Sequence, residues 1–110
     1  MSPTGPLMEL PQDSAERKRI PIYSGLFAYF PDALAEVAKL SFDSNEKHNP
    51  GEPLHWSKDK SADHLDCVGR HLLEAGGRDP ANGNNRHSAE LAWRALANLQ
   101  TEIERERGPK

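Results

Sequence analysis

The amino-acid sequence predicts an all-α fold: a small helical bundle of three main helices, with an aromatic N-terminal segment and a long loop between helices one and two. Apolar residues recur at helical spacing in three segments, proline, glycine or a capping residue bounds each segment, and no βαβ pattern is present. Of the 110 residues, 35% are hydrophobic, and the mean hydropathy is -0.81. Because a domain of this size has a modest core, we expect oligomerisation to complete the bundle.

We divide the chain into a flexible N-terminal arm (1–19), one helical domain (20–107) and a short tail (108–110). The arm contains prolines and a charged cluster but no apolar periodicity. The next segment, Ile20–Phe30, is aromatic and apolar, and Pro21 and Gly25 make a long strand unfavourable there. We therefore expect a short extended or turn-like segment that packs onto the domain.

Helix one is predicted from Pro31 to about Phe42. Proline suits the first position of a helix, and Asp32 beside it complements the helix dipole. Polar residues spaced three or four apart form one stripe along this helix. That stripe is either a solvated surface with a Glu36–Lys39 ion pair, or it places Glu36 as a metal-binding carboxylate at the mouth of the bundle.

The loop between helices one and two is rich in turns because it contains Asn49-Pro50-Gly51 and Pro53. Cations, imidazoles and an indole gather there, and they could bind the phosphates of a nucleotide and stack on its base. The alternative is that the tryptophan only anchors the loop on the core. The candidate nucleotide-binding residues are Lys47, His48, His55, Trp56 and Lys58.

Helix two is predicted from Ser61, a favoured N-cap residue, to Ala75, and Gly76-Gly77 is expected to end it. At about 100° per residue, a set of apolar residues falls on one face, which we predict to be buried. These residues are Leu65, Val68, Leu72 and Ala75.

Two polar stripes flank that face of helix two. One carries acids and Arg70, and the spacing of Asp66 and Arg70 also permits an ordinary surface ion pair. The other stripe could ligate zinc, but it supplies three ligands where a closed structural site needs four, so it would need another such as His48 or His55. Its members are His64, Cys67 and His71.

The segment GGRDPANGNN that follows is predicted to be a loop. Helix three is predicted from about Asn85 to about Arg107, before Gly108 and Pro109. Its wide apolar face and narrow polar stripe indicate packing on two sides, by its own domain and by a partner subunit. The apolar face comprises Leu91, Ala92, Ala95, Leu96, Leu99 and Ile103, and the polar stripe comprises His87, Glu90, Arg94, Asn98 and Thr101.

Composition narrows the classes of function. A net charge of -3 and an isoelectric point near 5.9 argue against a protein that coats duplex nucleic acid, but they leave nucleotides open. The single cysteine rules out an intrachain disulfide and fits a reducing compartment, and neither a signal peptide nor a membrane-spanning run is recognisable. The sequence also lacks a glycine-rich phosphate loop, a GxSxG elbow, an HExxH motif and paired CxxC motifs.

Four segments carry a wider pattern: FPDALAEVAKLS (Phe30–Ser41), NEKHNPGEPLHW (Asn45–Trp56), KSADHLDCVGRHL (Lys60–Leu72) and RDPANGNNRHSAELAWRALANLQ (Arg78–Gln100). The pattern is an Asp, an Arg-His a turn later, and then Asp, Gly and His. Here these are Asp66, Arg70-His71, Asp79, Gly83 and His87. Over roughly 21–104, the chain resembles a family of small phage-borne and phage-derived proteins described as the dATP/dGTP diphosphohydrolase N-terminal domain.

The resemblance implies an all-helical, metal-dependent nucleotide pyrophosphohydrolase, related in style to the MazG-like enzymes. Those enzymes hold Mg²⁺ or Mn²⁺ with carboxylates on bundle helices and split a (deoxy)nucleoside triphosphate into monophosphate and pyrophosphate. This chain lacks their EExxE and ExxD motifs and has Glu36 and a DxxD motif, Asp63 and Asp66, instead. The resemblance leads us to expect hydrolysis of purine dNTPs such as dATP or dGTP, with Mg²⁺ or Mn²⁺ as cofactor.

Individual residues receive roles under this hypothesis. His71 or His87 would orient or deprotonate the attacking water, since an imidazole titrates near neutral pH, and Arg70, Lys47 and Lys58 would neutralise the leaving pyrophosphate. The expected metal ligands are Asp63, Asp66, Asp79 and Glu36.

The expected setting is the cytoplasm, of a bacterial host if the chain is phage-borne. We expect a homo-oligomer, a dimer or a tetramer, that binds a nucleoside triphosphate but neither a membrane nor, stably, nucleic acid. Two alternatives fit the same residues: a non-catalytic phage accessory protein that binds a nucleotide or a partner, and a purely structural phage protein whose histidines are satisfied inside the fold, with or without zinc. Turnover separates the enzyme from the binding module, and metal content separates both from a zinc-stabilised scaffold.

Overall fold

The structure is a computed structural model that describes residues 5–58 and 62–108. The elements in these ranges are α1 (Ser14–Arg17), a π-helical turn (Tyr23–Phe27), α2 (Pro31–His48), α3 (His64–Leu73), β1 (Arg78–Asp79), β2 (Asn85–Arg86) and α4 (His87–Arg107). The predicted all-α class with three main helices is confirmed, because β1 and β2 form only a small two-stranded sheet. No helix in the described ranges is both long enough and apolar enough to cross a membrane.

Helix α4 is the central element, because both α2 and α3 pack against it. Helices α3 and α4 run antiparallel, so that His71 near the end of α3 contacts His87 at the start of α4. At the other end of the pair, His64 contacts Arg94. In this arrangement, a polar row of α3 (His64 and His71) lies against a polar row of α4 (His87 and Arg94).

Helix α2 is longer than predicted and continues past Phe42 to His48. The polar residues after Phe42 do not break a helix, and helical backbone becomes unfavourable only at Asn49, because it precedes Pro50. Lys47 and His48 therefore lie on the last turn of a helix and not in a loop.

Helix α3 is shorter than predicted, from His64 to Leu73. The predicted capping residue, Ser61, lies outside the described residues. The predicted stop at the glycine pair is close to the observed end, because Gly76 has a φ of 97°, a left-handed conformation that does not continue a helix.

The predicted buried face of α3 is wrong except at Val68, which is half-buried. Leu65 and Leu72 are 67% and 63% exposed, whereas His64 and Cys67 of the neighbouring stripe are buried. The physical reason lies on α4, which presents polar side chains to α3. Because buried polar groups need polar partners, the imidazoles of α3 turn inward and its leucines turn outward.

The same inversion occurs on α4. Its predicted polar stripe points inward, with His87 and Glu90 buried, and Leu96 and Leu99 are each 53% exposed. The helix begins at His87, later than predicted, because Asn85 pairs with Asp79 in the β-hairpin. It ends at Arg107, as predicted.

The connection predicted as a loop closes into a minimal antiparallel hairpin, in which Arg78 pairs with Arg86. Gly83 and Asn84 have φ values of 63° and 55° and reverse the chain. A Cβ atom at Gly83 would collide with the carboxylate of Asp43 on α2, so the hairpin lies directly against α2.

Two short helical elements precede the bundle. Helix α1 lies within the predicted arm, and the Asp13 carboxylate caps it by accepting from the Glu16 amide at 3.0 Å. The aromatic segment forms the π-helical turn and not an extended piece. Its predicted packing onto the domain is not observed for the larger aromatic side chains, since Tyr23 and Tyr29 are 74% and 73% exposed.

Candidate metal centre and adjoining cleft

Two histidines and a glutamate meet where α3 and α4 come together. Nδ1 of His71 lies 3.3 Å from Nδ1 of His87 and 3.3 Å from Oε1 of Glu90. Oε1 of Glu90 also lies 2.9 Å from Nδ1 of His87. The cluster therefore brings together three atoms that can bind a metal, two imidazole nitrogens and one carboxylate oxygen.

Side chains from the end of α3 and from the hairpin extend this cluster. The described residues include two groups that could hold a metal ion, His71–Glu74–His87 and Asp79–His87–Glu90, and the ligand atoms of each lie within 4.8 Å of one another. His87 belongs to both groups, and its Nε2 is 3.6 Å from Oε2 of Glu74.

Local structure explains why these residues meet. Each helix carries a His-x-x-Glu pair, His71 with Glu74 and His87 with Glu90, and a spacing of three places both members on one side of a helix. The reversal in the hairpin then returns Asp79 to the first turn of α4. The whole centre comes from one continuous stretch of chain.

Burial and proximity couple the two acids of the second group. Burial raises the pKa of Glu90, which is 6% exposed, and the neighbouring Asp79 raises this pKa further. Hydrogen bonding from Glu90 lowers the pKa of Asp79. The two carboxyl groups are thus coupled, with the pKa of Glu90 raised and that of Asp79 lowered, and a divalent cation bound by both would offset their mutual repulsion.

The remaining polar atoms of the centre test whether a metal would fit. Oε1 of Glu90 and Oδ1 of Asn82 are buried and have no hydrogen-bond partner among the described residues. The 2.9 Å approach of His87 to Glu90 lacks the alignment of a hydrogen bond. Because a buried oxygen without a donor is costly, and a cation would satisfy it, these residues fit a metal ion.

His71 differs from the acids. Burial lowers its pKa first, and the neighbouring His87 lowers it further. The ring is therefore neutral at pH 7, with one nitrogen able to accept a proton.

A cleft of about 720 Å³ adjoins this centre. Its volume falls within the range of about 300–1,000 Å³ that is typical of small-molecule sites. Residues from α2, from the loop after it, from the hairpin and from α4 form its walls. They include Ser41, Ser44, His48, His55, Trp56, His71, Asn82, Glu90, Trp93 and Arg94.

Two tryptophans pack together on the wall of the cleft. The rings of Trp56 and Trp93 meet edge to face at 5.5 Å, and Nε1 of Trp93 donates to Oγ of Ser41 at 2.9 Å. Nζ of Lys58 lies 5.0 Å from the centre of the Trp56 ring. Trp56 therefore anchors the loop and also lines the cleft, and its stacking on a nucleotide base stays a prediction.

Arg94 places a positive charge on the same wall. Its Nη1 lies 3.2 Å from Nδ1 of His64, and a guanidinium can only donate, so Nδ1 of His64 accepts. After burial and the neighbouring His87, the charge of Arg94 also contributes to the lowered pKa of His71.

The structure brings some of the predicted site residues together. His71, His87 and Asp79 belong to the candidate metal groups, and His48, His55 and Trp56 line the cleft beside them. Lys47 is exposed at the end of α2, where its charge contributes to the lowered pKa of Asp79.

Other predicted residues lie elsewhere, and neither metal group contains Glu36, Asp63 or Asp66. Oε1 of Glu36 accepts from Nε of Arg86 at 2.9 Å, and Asp66 is exposed on α3. Oδ2 of Asp63 lies 3.3 Å from Nη2 of Arg70. Lys58 donates to Glu104 at 2.8 Å.

The site predicted from sequence does not include Glu74, Asn82, Glu90 or Arg94, each of which belongs to a metal group or lines the cleft. The two His-x-x-Glu pairs are a usable signal, because each places an acid beside a histidine that the hypothesis already includes. Asn82 and Arg94 have no comparable signal, since their positions depend on the hairpin and on the α3–α4 contact.

Comparison of this chain with protein-family models, with curated proteins and with solved structures finds no match.

Proposed function

We propose that the protein is a metal-dependent hydrolase of (deoxy)nucleoside triphosphates, acting on purine dNTPs such as dATP or dGTP and releasing monophosphate and pyrophosphate. One observation carries the proposal: a single cleft of nucleotide size is lined by His71 and Glu90 of the metal centre and by Trp56. A triphosphate needs cations at its phosphates, and its base favours an aromatic surface.

In this proposal Asp79, His87 and Glu90 hold Mg²⁺ or Mn²⁺. This group is preferred to the one containing Glu74, because Glu90 is buried and its oxygen lacks a donor, whereas Glu74 is exposed. A bound cation supplies positive charge against the phosphate oxygens and so lowers the barrier to attack by water.

The protein side chains supply the other roles. Nδ1 of His71 accepts a proton from the attacking water, whose oxygen forms a bond to the α-phosphorus while the bond to the bridging oxygen breaks. Pyrophosphate then leaves with that oxygen, and Arg94 donates hydrogen bonds to its phosphates. Arg94 takes the role first given to Arg70, because Arg94 lines the cleft.

The test is turnover of the purified chain with Mg²⁺ or Mn²⁺ against the common nucleoside and deoxynucleoside triphosphates, with pyrophosphate and orthophosphate detected separately. We expect pyrophosphate from a purine deoxynucleotide and none after addition of EDTA. Glu90→Gln should lower kcat at least about 100-fold, because the amide removes the charge that a cation needs. Glu106→Gln, an exposed acid on the same helix, is the matched control.

The second candidate is a nucleotide-binding module without turnover. It is favoured by the separation of Glu36, Asp63 and Asp66 from the metal groups, which leaves the centre with fewer carboxylates than the sequence predicts. Equilibrium binding of dATP or dGTP without release of pyrophosphate, or wild-type turnover in Glu90→Gln, would rule out the hydrolase in its present form.

The proposed active form is a homo-oligomer. Leucines that the bundle leaves exposed on α3 and α4 would be buried between subunits. The exposed apolar residues of these two helices are Leu65, Leu72, Leu73, Leu96, Leu99 and Ile103.

A further inference from the structure

Asn82 occupies the turn of the hairpin, between the metal centre and α2. Its backbone amide donates to the Asp79 carbonyl at 3.1 Å. Its side-chain Nδ2 donates to Oγ of Ser44 at 3.1 Å and to Oε2 of Glu90 at 3.3 Å. Both hydrogens of the amide group are therefore in use, and they fix the orientation of the side chain.

The other end of the amide has no such partner. Oδ1 of Asn82 is buried and accepts no hydrogen bond from the described residues, and the same holds for Oε1 of Glu90. These two oxygens belong to side chains that are hydrogen-bonded to each other, and both side chains line the cleft. A species that supplies positive charge or donors would satisfy both of these buried acceptors.

A divalent cation is such a species, and the residue types grouped with Glu90 are those that bind one. Asp79 and His87 form a metal group with Glu90, and the turn hydrogen bond ties Asn82 to Asp79. Amide and carboxylate oxygens are the ligands that Mg²⁺ and Mn²⁺ prefer, whereas a closed zinc site usually takes cysteine and histidine.

We propose that Oδ1 of Asn82 is a fourth ligand of a cation held by Asp79, His87 and Glu90, which makes the centre rich in the oxygen ligands that Mn²⁺ and Mg²⁺ take. This inference rests on the metal centre of the proposed function but not on turnover. Asn82 thereby has two tasks, since its nitrogen orients Glu90 and its oxygen binds the ion.

The test is calorimetric titration of the full chain with Mn²⁺. Asn82→Ala should weaken Mn²⁺ binding at least tenfold, because a ligand is lost. Asn82→Asp should bind Mn²⁺ within about threefold of wild type or more tightly, because a carboxylate oxygen replaces the amide oxygen. Asn84→Gly is the matched control, since Asn84 is exposed and its φ of 55° suits glycine.

The Asn82→Asp variant distinguishes a residue that binds the ion from one that only orients Glu90. If Asn82 only orients Glu90 through its nitrogen, the aspartate loses that donor, repels Glu90 and weakens Mn²⁺ binding as much as alanine does. That result, wild-type affinity in Asn82→Ala, or no binding of Mn²⁺ by the wild type would overturn the inference.

A measurement on the wild type covers the case in which a variant fails to fold. The carboxamide carbon resonance of Asn82 should shift when Mg²⁺ is added to saturation, and an unmoved resonance would contradict ligation. The hydrolase proposal can fail separately, if Mn²⁺ binds with this ligand set but no triphosphate is turned over.

Discussion

Asp43 connects helix α2 to the hairpin that carries Asp79. Its Oδ2 accepts from Nζ of Lys39 at 2.7 Å and from Nδ2 of Asn85 at 2.9 Å. The hydrogen bond from Lys39, followed by the one from Asn85, lowers the pKa of Asp43 below its ordinary value of 3.8. A carboxylate on α2 thus helps to position Asp79, a candidate metal ligand.

The stability of the fold should depend on the ionisation of this carboxylate. Because the folded-state pKa of Asp43 lies below its unfolded value, its stabilisation is complete above pH 3.8 and is lost as the pH falls through the folded-state pKa. We expect Asp43→Asn to be less stable than wild type by up to about 1 kcal/mol at pH 7, and the difference to vanish in strong acid.

Urea unfolding of both proteins from pH 7 to pH 2 measures this difference. Glu46→Gln is the control, since Glu46 is an exposed acid on the same helix. A constant difference between Asp43→Asn and wild type across the whole range would show that the charge of Asp43 contributes nothing.

Residue types predict only part of the centre. The family pattern includes His71, Asp79 and His87, and these three residues lie in the candidate metal groups. The sequence assigns Glu90 only to a polar stripe, because it does not show that a hairpin folds Asp79 back against this residue. The burial of Glu90 arises from that tertiary contact, and burial is what makes a glutamate a candidate ligand here.

At the scale of elements, the hairpin depends on Gly83. This residue has a left-handed φ of 63°, and a Cβ atom there would collide with Asp43 and approach Nδ2 of Asn85 to 2.9 Å. Gly83→Ala should therefore lower the free energy of unfolding by more than about 1 kcal/mol, the usual cost of this conformation for alanine.

Thermal unfolding followed by circular dichroism measures this effect. Gly51→Ala is the matched control, because Gly51 has a φ of 79° but a Cβ atom added to it would meet no other atom within 4 Å. Equal destabilisation by both variants would leave only the backbone conformation as the cause. The close contact between the hairpin and α2 would then contribute nothing to the loss of stability in Gly83→Ala.

Helix boundaries follow local chemistry, whereas helix faces do not. Pro31 begins α2 and Gly108 follows the end of α4, as their backbone preferences predict. On α3, periodicity separates the stripe of Leu65 and Leu72 from the stripe of His64, but it does not decide which stripe faces α4. The polar partners on α4 decide this, and they are distant in sequence.

At the scale of the whole molecule, the interior of the described chain contains few apolar side chains. The buried apolar residues are Leu40, Cys67, Ala89 and Ala97. Larger side chains such as Leu99 remain on the surface, which is the reverse of the usual distribution. A second copy of the chain carries the same apolar helical surface, and association of the two copies would bury both surfaces.

One chain has a mass of 12.2 kDa, and we expect light scattering to give two or more times this mass. The double variant Leu96→Glu and Leu99→Glu should dissociate into monomers, because charges cannot be buried unpaired between helices. Leu7→Glu, at an 86% exposed position before the bundle, should leave the mass unchanged. A monomeric wild type would contradict the proposed oligomer.

The local origin of the metal centre has a consequence for how the chain folds. All of its candidate ligands lie in the stretch from His71 to Glu90. Short loops close quickly and at low entropic cost, so the unit formed by the end of α3, the hairpin and the start of α4 can assemble before α2 docks. A cation captured by that unit would speed refolding, and the cleft would form last.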